Sequence, residues 1–200
     1  MTDLLFDTFV STFDIFAATS AIETETAIEN GANINAVNDD GLSVFALAAF
    51  DRNLEKMTVL LNHDVNVNVN DVDKEGLTPL LSIFLYENQP DEYTENDIEQ
   101  LISLLKLLVT YGADINQRYP ETDYSTDCQT ILFHCSHPTL MMAMLEHGAD
   151  VYVVDGDGNT VLDNLKRGLL GDYEYGEQLY EILVAAGAVD SDDDDNNFLN

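Results

Sequence analysis

The sequence Gly112-Ala113-Asp114-Ile115-Asn116, with the apolar run Leu101 to Val109 in front of it, decides the fold of this chain. A glycine after a leucine-rich run predicts a helix that ends in a left-handed residue, from which Ala-Asp-Ile-Asn leads outward into a hairpin. The same pattern recurs at Gly31 to Asn35, Asp64 to Asn68, Gly148 to Tyr152 and Gly187-Ala188. One supersecondary unit is therefore repeated about five times along the chain.

The acidic balance of the chain indicates the kind of partner to expect. Thirty-eight Asp and Glu residues stand against seven Lys and Arg, which gives a formal net charge of −31. Such a surface repels nucleic acid and anionic membranes, so we expect direct binding to neither and infer a basic protein as partner. The alternative is that the solvated acids only keep a repeat protein in solution.

Composition favours a single elongated domain in the cytoplasm. Hydrophobic residues make up 46% of the chain, and no apolar run approaches the ~18 residues of a membrane span. The acidic start, Met1 to Asp7, is unlike a secretory signal. The two cysteines, Cys128 and Cys135, form no disulfide framework and fit a reducing compartment. We expect a monomer when no partner is bound.

The third repeat carries a specific resemblance. In Asp73-Lys74-Glu75-Gly76-Leu77-Thr78-Pro79-Leu80, threonine caps a helix and proline occupies its first turn. Most of residues 12 to 190 resembles the ankyrin repeat. The shared features are this segment, two helices, the motif Leu-Leu-x-x-Gly-Ala-Asp-x-Asn and a return to Asp-x-x-Gly. The resemblance implies an all-α, ankyrin-like repeat solenoid of helix pairs joined by β-hairpin loops.

The repeat register predicts five units, of which the first and last are caps, and an acidic disordered tail at 191–200. The units cover approximately 3–36, 37–69, 70–117, 118–152 and 153–190. The first unit is expected to contain a core-facing helix over residues 3 to 18. The histidine that follows Thr-Pro-Leu in the family is replaced by Ala46, Leu81, Phe133 and Asp163, so its hydrogen bonds between repeats must be made otherwise or lost.

Insertions in the repeats are the strongest functional clue. They fall at roughly Glu87 to Asp97, Tyr119 to Thr126 and Gly168 to Gly176, and they hold five of the nine tyrosines. Tyrosine is enriched in interface hot spots because it offers a large, stiff contact area. The alternative is that these rings pack down onto the repeats to hold the long loops in place.

The ankyrin resemblance implies that a partner meets the hairpin tips and the exposed side of the inner helices. In this chain that face comprises Asp39, Asp40, Phe50, Asp51, Lys74, Glu75, Tyr86, Asp127, His137, Asp155 and Asp157. The lengthened hairpin adds Tyr119 and Tyr124 to it. The insertions between helices, with Asp91, Glu92, Tyr93, Tyr173 and Tyr175, are expected at another edge.

Three kinds of chemistry are not supported by the motifs. Asp155 to Asn159 begins like a calcium loop, but the twelfth position is Lys166. Cys128, His134, Cys135 and His137 are close in sequence, yet the register puts the two sulfurs on different elements, so we expect structural cysteines and no zinc. Because no catalytic motif is present, we expect neither an enzyme nor a cofactor.

These observations predict a protein–protein interaction module. The most concrete form is a stand-alone acidic inhibitor, of the immunity or antitoxin type, that blocks one basic protein. Two alternatives remain open: a nucleic-acid mimic that occupies a DNA- or RNA-binding groove, and a general scaffold without an inhibitory role.

Overall fold

The computed structural model describes residues 14–63, 67–85, 93–120, 129–168 and 175–189, and the extended regular structure in these ranges is all helix. The α-helices are α1 (Ala21–Glu29), α2 (Val44–Phe50), α3 (Leu54–His63), α4 (Pro79–Leu85), α5 (Glu95–Thr110), α6 (Pro138–Glu146), α7 (Val161–Lys166) and α8 (Gly176–Ala185). A 3-10 helix covers Ile131–His134. The β-structure found in these ranges is two isolated bridges, Val37 to Ser43 and Val154 to Thr160. The predicted tail, 191–200, lies outside the described residues.

The chain divides into two compact units, Met1–Tyr86 and Glu87–Asn200, and the predicted third repeat runs across their boundary. In the first unit α2 packs against α3 and α4, while α1 packs against α3. In the second unit α6 packs against α5 and α8, and α7 packs against α8 and the 3-10 helix. Each unit therefore buries its core between two layers of helices.

Helices α1, α5, α6 and α8 end in one geometry, which confirms the predicted glycine stops at these sites. At the end of α5, Gly112 has a φ of +94°, which an L-residue adopts only under strain. The N–H of the next residue, Ala113, then donates to the carbonyl oxygen of Leu108 at 2.9 Å. Ala32, Ala149 and Ala188 make the same bond at 2.9 to 3.0 Å. The orphan carbonyls of four helix ends are thus satisfied in the same way.

The turns that precede three of the helices repeat as closely as the helix ends. Asn38, Asp73 and Asp155 each accept, on side-chain Oδ1, the N–H groups two and four residues further on, at 2.8 to 3.0 Å. Such side chains mimic a backbone turn and fix its direction. The chain then enters a helix capped by Ser43, Thr78 or Thr160, whose hydroxyl oxygens accept an N–H three residues on. The cap predicted at Thr78 is confirmed, and Ser43 and Thr160 form the same cap.

Two local predictions are wrong. A helix was predicted over residues 3 to 18, but the described part of this segment, residues 14 to 18, is not helical. Ile15 to Ala17 form a turn instead, in which Asp14 Oδ1 accepts the N–H of Phe16. The inner helix of the fourth repeat is reduced to the 3-10 turn. Thr130 makes no side-chain cap there, and the residue before Pro138 is held extended, so an α-helix has little room to form. Residues 3–13 lie outside the described ranges.

Basic side chains donate hydrogen bonds to backbone carbonyls of distant segments. Arg52 Nη2 donates to Ile83 O at 2.8 Å, Lys74 Nζ to Asp39 O at 3.1 Å and Arg118 Nη1 to Val154 O at 2.8 Å. Asn53 and Asn116 make similar bonds to Thr19 O and Gly148 O. Donor and acceptor lie 31 to 36 residues apart, about the length of one repeat.

Lys56 is a core residue that the apolar pattern did not predict. The expected stripe of α3 was Leu54, Met57, Leu60 and Leu61, but Leu54 is half-buried and Lys56 is buried. Its ammonium donates to Ala18 O at 2.7 Å, and burial lowers the pKa of Lys56 below its ordinary value. Within the described ranges no helix is long and apolar enough to cross a bilayer.

Candidate functional site

The residues predicted to bind a partner have different environments in the structure. Asp39, Asp40, Asp51, Lys74, Glu75 and Asp157 are exposed, whereas Phe50, Tyr93, Tyr119, His137 and Tyr175 are half-buried and Asp155 is buried. The remaining predicted residues, Tyr86, Asp91, Glu92, Tyr124, Asp127 and Tyr173, lie outside the described part of the chain.

A cleft in the second unit brings three of the predicted residues together. Its volume is about 440 Å³, and it lies between the first turns of α5, α6 and α8. Tyr93, His137 and Tyr175 line it together with Glu95, Ile98, Glu99, Ile102, Pro138, Thr139 and Gln178. His137 therefore lies beside Tyr93 and Tyr175, and the expectation that these two tyrosines lie at a different edge from His137 is wrong. We call this site the aromatic cleft.

The start of α5 fixes one wall of the aromatic cleft. Thr94 caps the helix by accepting the N–H of Asp97, and the Asp97 carboxylate accepts the N–H of Thr94 at 2.9 Å. This capping box holds the entry of the helix and so directs Tyr93 into the cleft. Glu95 and Glu99 are four residues apart and therefore share the face of α5 that lines the site.

His137 forms the opposite wall because it cannot join the helix that it precedes. Pro138 keeps it extended, with φ −121° and ψ 128°, and its ring meets the ring of Tyr175 edge-on at 5.2 Å between centroids. Nδ1 is buried without a hydrogen-bond partner among the described groups. Burial lowers the pKa of His137 below 6.5, so its ring is neutral at neutral pH.

Tyr119 packs inward, as the alternative interpretation of the insertion tyrosines expected. Its ring meets that of His134 edge-on, with centroids 5.0 Å apart. Its hydroxyl is buried, and this burial raises the pKa of Tyr119. Its backbone N–H donates to Gln129 O at 2.8 Å, a bond between the segments on either side of residues 121–128. Tyr119 is therefore a support for the loop, and its inclusion among the exposed contacts is corrected.

Asp155 is likewise a structural residue, which corrects its prediction as a surface contact. Only 9% of it is exposed. Besides its turn bonds, Asp155 Oδ2 accepts Nδ2 of Asn164 at 3.0 Å. Burial by itself would raise the pKa of Asp155, but hydrogen bonds from Asn164, Asn159 and the backbone hold it below the ordinary value. The oxygens of this carboxylate thus accept hydrogen bonds from its own turn and from Asn164.

Cys135 is a buried thiol next to the aromatic cleft. It donates to His137 O at 3.5 Å, and burial raises its pKa to about 12, so it stays protonated and unreactive. Cys128 lies outside the described residues. In the ranges that the structure describes, no group of three His, Cys, Asp or Glu side chains is arranged to hold a metal ion.

The hairpin tips of the first unit form a separate acidic surface. Asp39 and Asp40 lie on one tip and Glu75 on the next, all exposed. Lys74 reaches Asp40 at 4.0 Å, but both side chains are more than half exposed, so the pair contributes little. Lys166 and Arg167 in the second unit are also engaged within the chain, over the ring of Tyr180 and at Asn159 Oδ1.

Sequence reasoning named the aromatic residues of the cleft but not its acidic wall. Glu95 and Glu99 lie on an ordinary amphipathic helix, and the signal that links them to Tyr175 is their shared neighbourhood in the folded unit. No protein-family model matches the chain, and no curated protein matches its sequence at a significant level.

Proposed function

We propose that this chain is an ankyrin-like protein-interaction module that binds a basic protein and inhibits it. The repeated local geometry supports the ankyrin-like part of the proposal. Helices stop at glycine, hairpins are closed by Asn or Asp, and the next helices begin at Ser or Thr. Such repeats present hairpin tips and loops in register, and these often carry binding.

The observation that carries the proposal is how the chain uses its few basic residues. Arg52, Lys56, Lys74 and Arg118 donate to backbone carbonyls 31 to 38 residues away, so these side chains are held by hydrogen bonds within the fold. The carboxylates at the hairpin tips remain exposed. With a net charge of −31, this surface attracts a cationic partner and accelerates its association.

Inhibition is the form of binding that an acidic module of this kind performs most directly. Carboxylates that cover the cationic site of a basic enzyme or toxin exclude its negatively charged substrate. We place the complex in the cytoplasm, because the chain has two cysteines and the buried Cys135 is a free thiol.

Capture of the partner, followed by a functional assay, tests the proposal. The tagged chain is incubated with extract of its source cells at about 50 mM salt, and the protein it retains is identified, purified and remixed with it. We expect a partner with a basic isoelectric point, a one-to-one complex and loss of the partner's activity on binding.

Matched variants test whether the acidic surface accelerates association with the partner. Neutralising Asp39, Asp40 and Glu75 together is expected to slow association several-fold at low salt, with little change in dissociation. The control is neutralisation of Glu25, Glu29 and Glu55, three exposed acids on the outer helices α1 and α3. A partner that is acidic, or that keeps its full activity in the complex, would contradict inhibition of a basic protein.

A further inference from the structure

We propose that the aromatic cleft binds an arginine side chain that projects from the basic partner. This inference rests on the proposed function and names the group that the second unit recognises. The cleft has room for one side chain, since its volume of about 440 Å³ lies within the ~300–1,000 Å³ range of ligand pockets.

The rings that line the cleft suit a planar cation. Tyr93, His137 and Tyr175 come from three different segments and meet at one site. Tyrosine attracts a cation through its ring face, and guanidinium also stacks on that face. Because Tyr175 already meets His137 edge-on, with an interplanar angle of 66°, the two rings support one another without help from a guest.

The charges in the cleft have one sign. Glu95 and Glu99 are exposed acids on its wall, and the described lining contains no Lys or Arg. His137 adds no positive charge at neutral pH because burial keeps its ring neutral. An anionic guest is repelled here, and an uncharged apolar guest would leave two carboxylates partly desolvated without a partner. A cationic guest is attracted to the cleft and gives the two carboxylates a charged partner.

Arginine fits better than lysine for a geometric reason. The guanidinium is planar, is weakly hydrated and presents several N–H groups in a fork that matches carboxylates. The lining of this cleft contains both kinds of partner for a guanidinium, the carboxylates of α5 and the tyrosine rings. The lysine ammonium is a compact, strongly hydrated charge and uses only one of these two features.

Small arginine and lysine derivatives test the proposal without the partner. N-acetyl-arginine amide and N-acetyl-lysine amide are titrated into the full chain at about 20 mM salt, and the ring signals of tyrosine and histidine are followed by NMR. We expect saturable shifts of Tyr93, His137 and Tyr175, with the arginine derivative binding at least three-fold more tightly than the lysine derivative.

Variants show whether the binding belongs to the cleft. Tyr175→Ala and Glu99→Gln should each weaken arginine binding at least five-fold. The controls Tyr152→Ala and Glu181→Gln, at exposed positions outside the cleft, should leave it unchanged. Glu99→Gln changes an exposed side chain on a capped helix, so it keeps the test valid even if Tyr175→Ala does not fold. Equal weakening by the controls, or equal affinity for both derivatives, would overturn the proposal.

The partner separates this inference from the proposed function. If a basic partner is inhibited equally well by the parent chain, Tyr175→Ala and Glu99→Gln, the arginine site is wrong and the proposed function stands. If the arginine derivative binds the cleft but the captured partner is acidic, the site stands and the proposed function fails.

Discussion

Asp155 makes the hydrogen bonds of a repeated turn and also a hydrogen bond outside that turn. Asn38 and Asp73 close the equivalent turns of the first unit with the same pair of backbone hydrogen bonds. Asp155 is buried and in addition accepts the amide of Asn164. The carboxylate is thus tied both to its turn and to α7.

Replacing this carboxylate is expected to destabilise the second unit. Asp155→Asn keeps the turn acceptor, as Asn38 shows, but it loses the charged acceptor of Asn164, so the free energy of unfolding should fall by about 1–3 kcal/mol at pH 7. Urea unfolding measures the change. The control Asp73→Asn should stay within about 0.5 kcal/mol. Equal effects of the two substitutions would contradict a stabilising role for the hydrogen bond from Asn164.

The parent chain and the Asp155→Asn variant should also differ in how their stability depends on pH. The pKa of Asp155 is lowered in the folded chain, so its stabilising effect is complete above the ordinary value of 3.8 and is lost as the pH falls through the folded value. The stability difference between the parent and Asp155→Asn should therefore be constant from about pH 5 to 7 and shrink below about pH 4. Urea unfolding at several pH values checks this, and a difference that grows on acidification would contradict it.

At the scale of elements, cationic side chains donate to backbone carbonyls 31 to 36 residues away in the sequence. Arg52 follows α2 and donates to Ile83 O on α4 at 2.8 Å. Arg52→Met preserves most of the side-chain volume but leaves this carbonyl without its donor, which should lower stability by about 1–2 kcal/mol. The control Arg52→Lys retains a donor and should lose less. Chemical denaturation of both variants measures this, and equal losses would indicate packing as the cause.

The central leucines of α5 set the stability of the second unit. Leu105 is fully buried, so Leu105→Ala should lower the free energy of unfolding by about 2–5 kcal/mol. Lys106→Ala, at the exposed neighbouring position, should change it by less than about 0.5 kcal/mol. A Leu105→Ala variant that melts like the parent would show that the register assigned to this helix is wrong.

The sequence predicted features that depend on nearby residues, but it did not reveal those that depend on contacts between distant residues. The helix stop at Gly112 and the cap at Thr78 depend on bonds within five residues, and these local predictions are confirmed. The burial of Lys56 depends on Ala18 O, 38 residues away, and the pattern of α3 alone does not reveal it. The aromatic cleft has the same origin, since Tyr93 and Tyr175 meet only after α5, α6 and α8 have packed.

For the whole molecule, the imbalance of charge should govern stability in salt. The 38 acids cannot be paired by seven bases, so the folded chain repels itself at neutral pH. Sodium chloride at 0.1 M shortens the Debye length to about 10 Å and should raise the melting temperature by several degrees relative to about 10 mM. Calorimetry or circular dichroism measures this, and a melting temperature independent of salt would show that the acids are too far apart to interact.

The most direct test of a partner held by an aromatic anchor and an acidic surface together is the rate at which the captured partner dissociates from Tyr175→Ala. If an aromatic anchor and an acidic surface act together, the dissociation rate constant should rise about ten-fold or more, while the association rate constant stays within about two-fold of the parent's. The Tyr152→Ala control should dissociate like the parent. An unchanged dissociation rate together with an affinity that falls steeply as salt rises would contradict this and favour nucleic-acid mimicry instead.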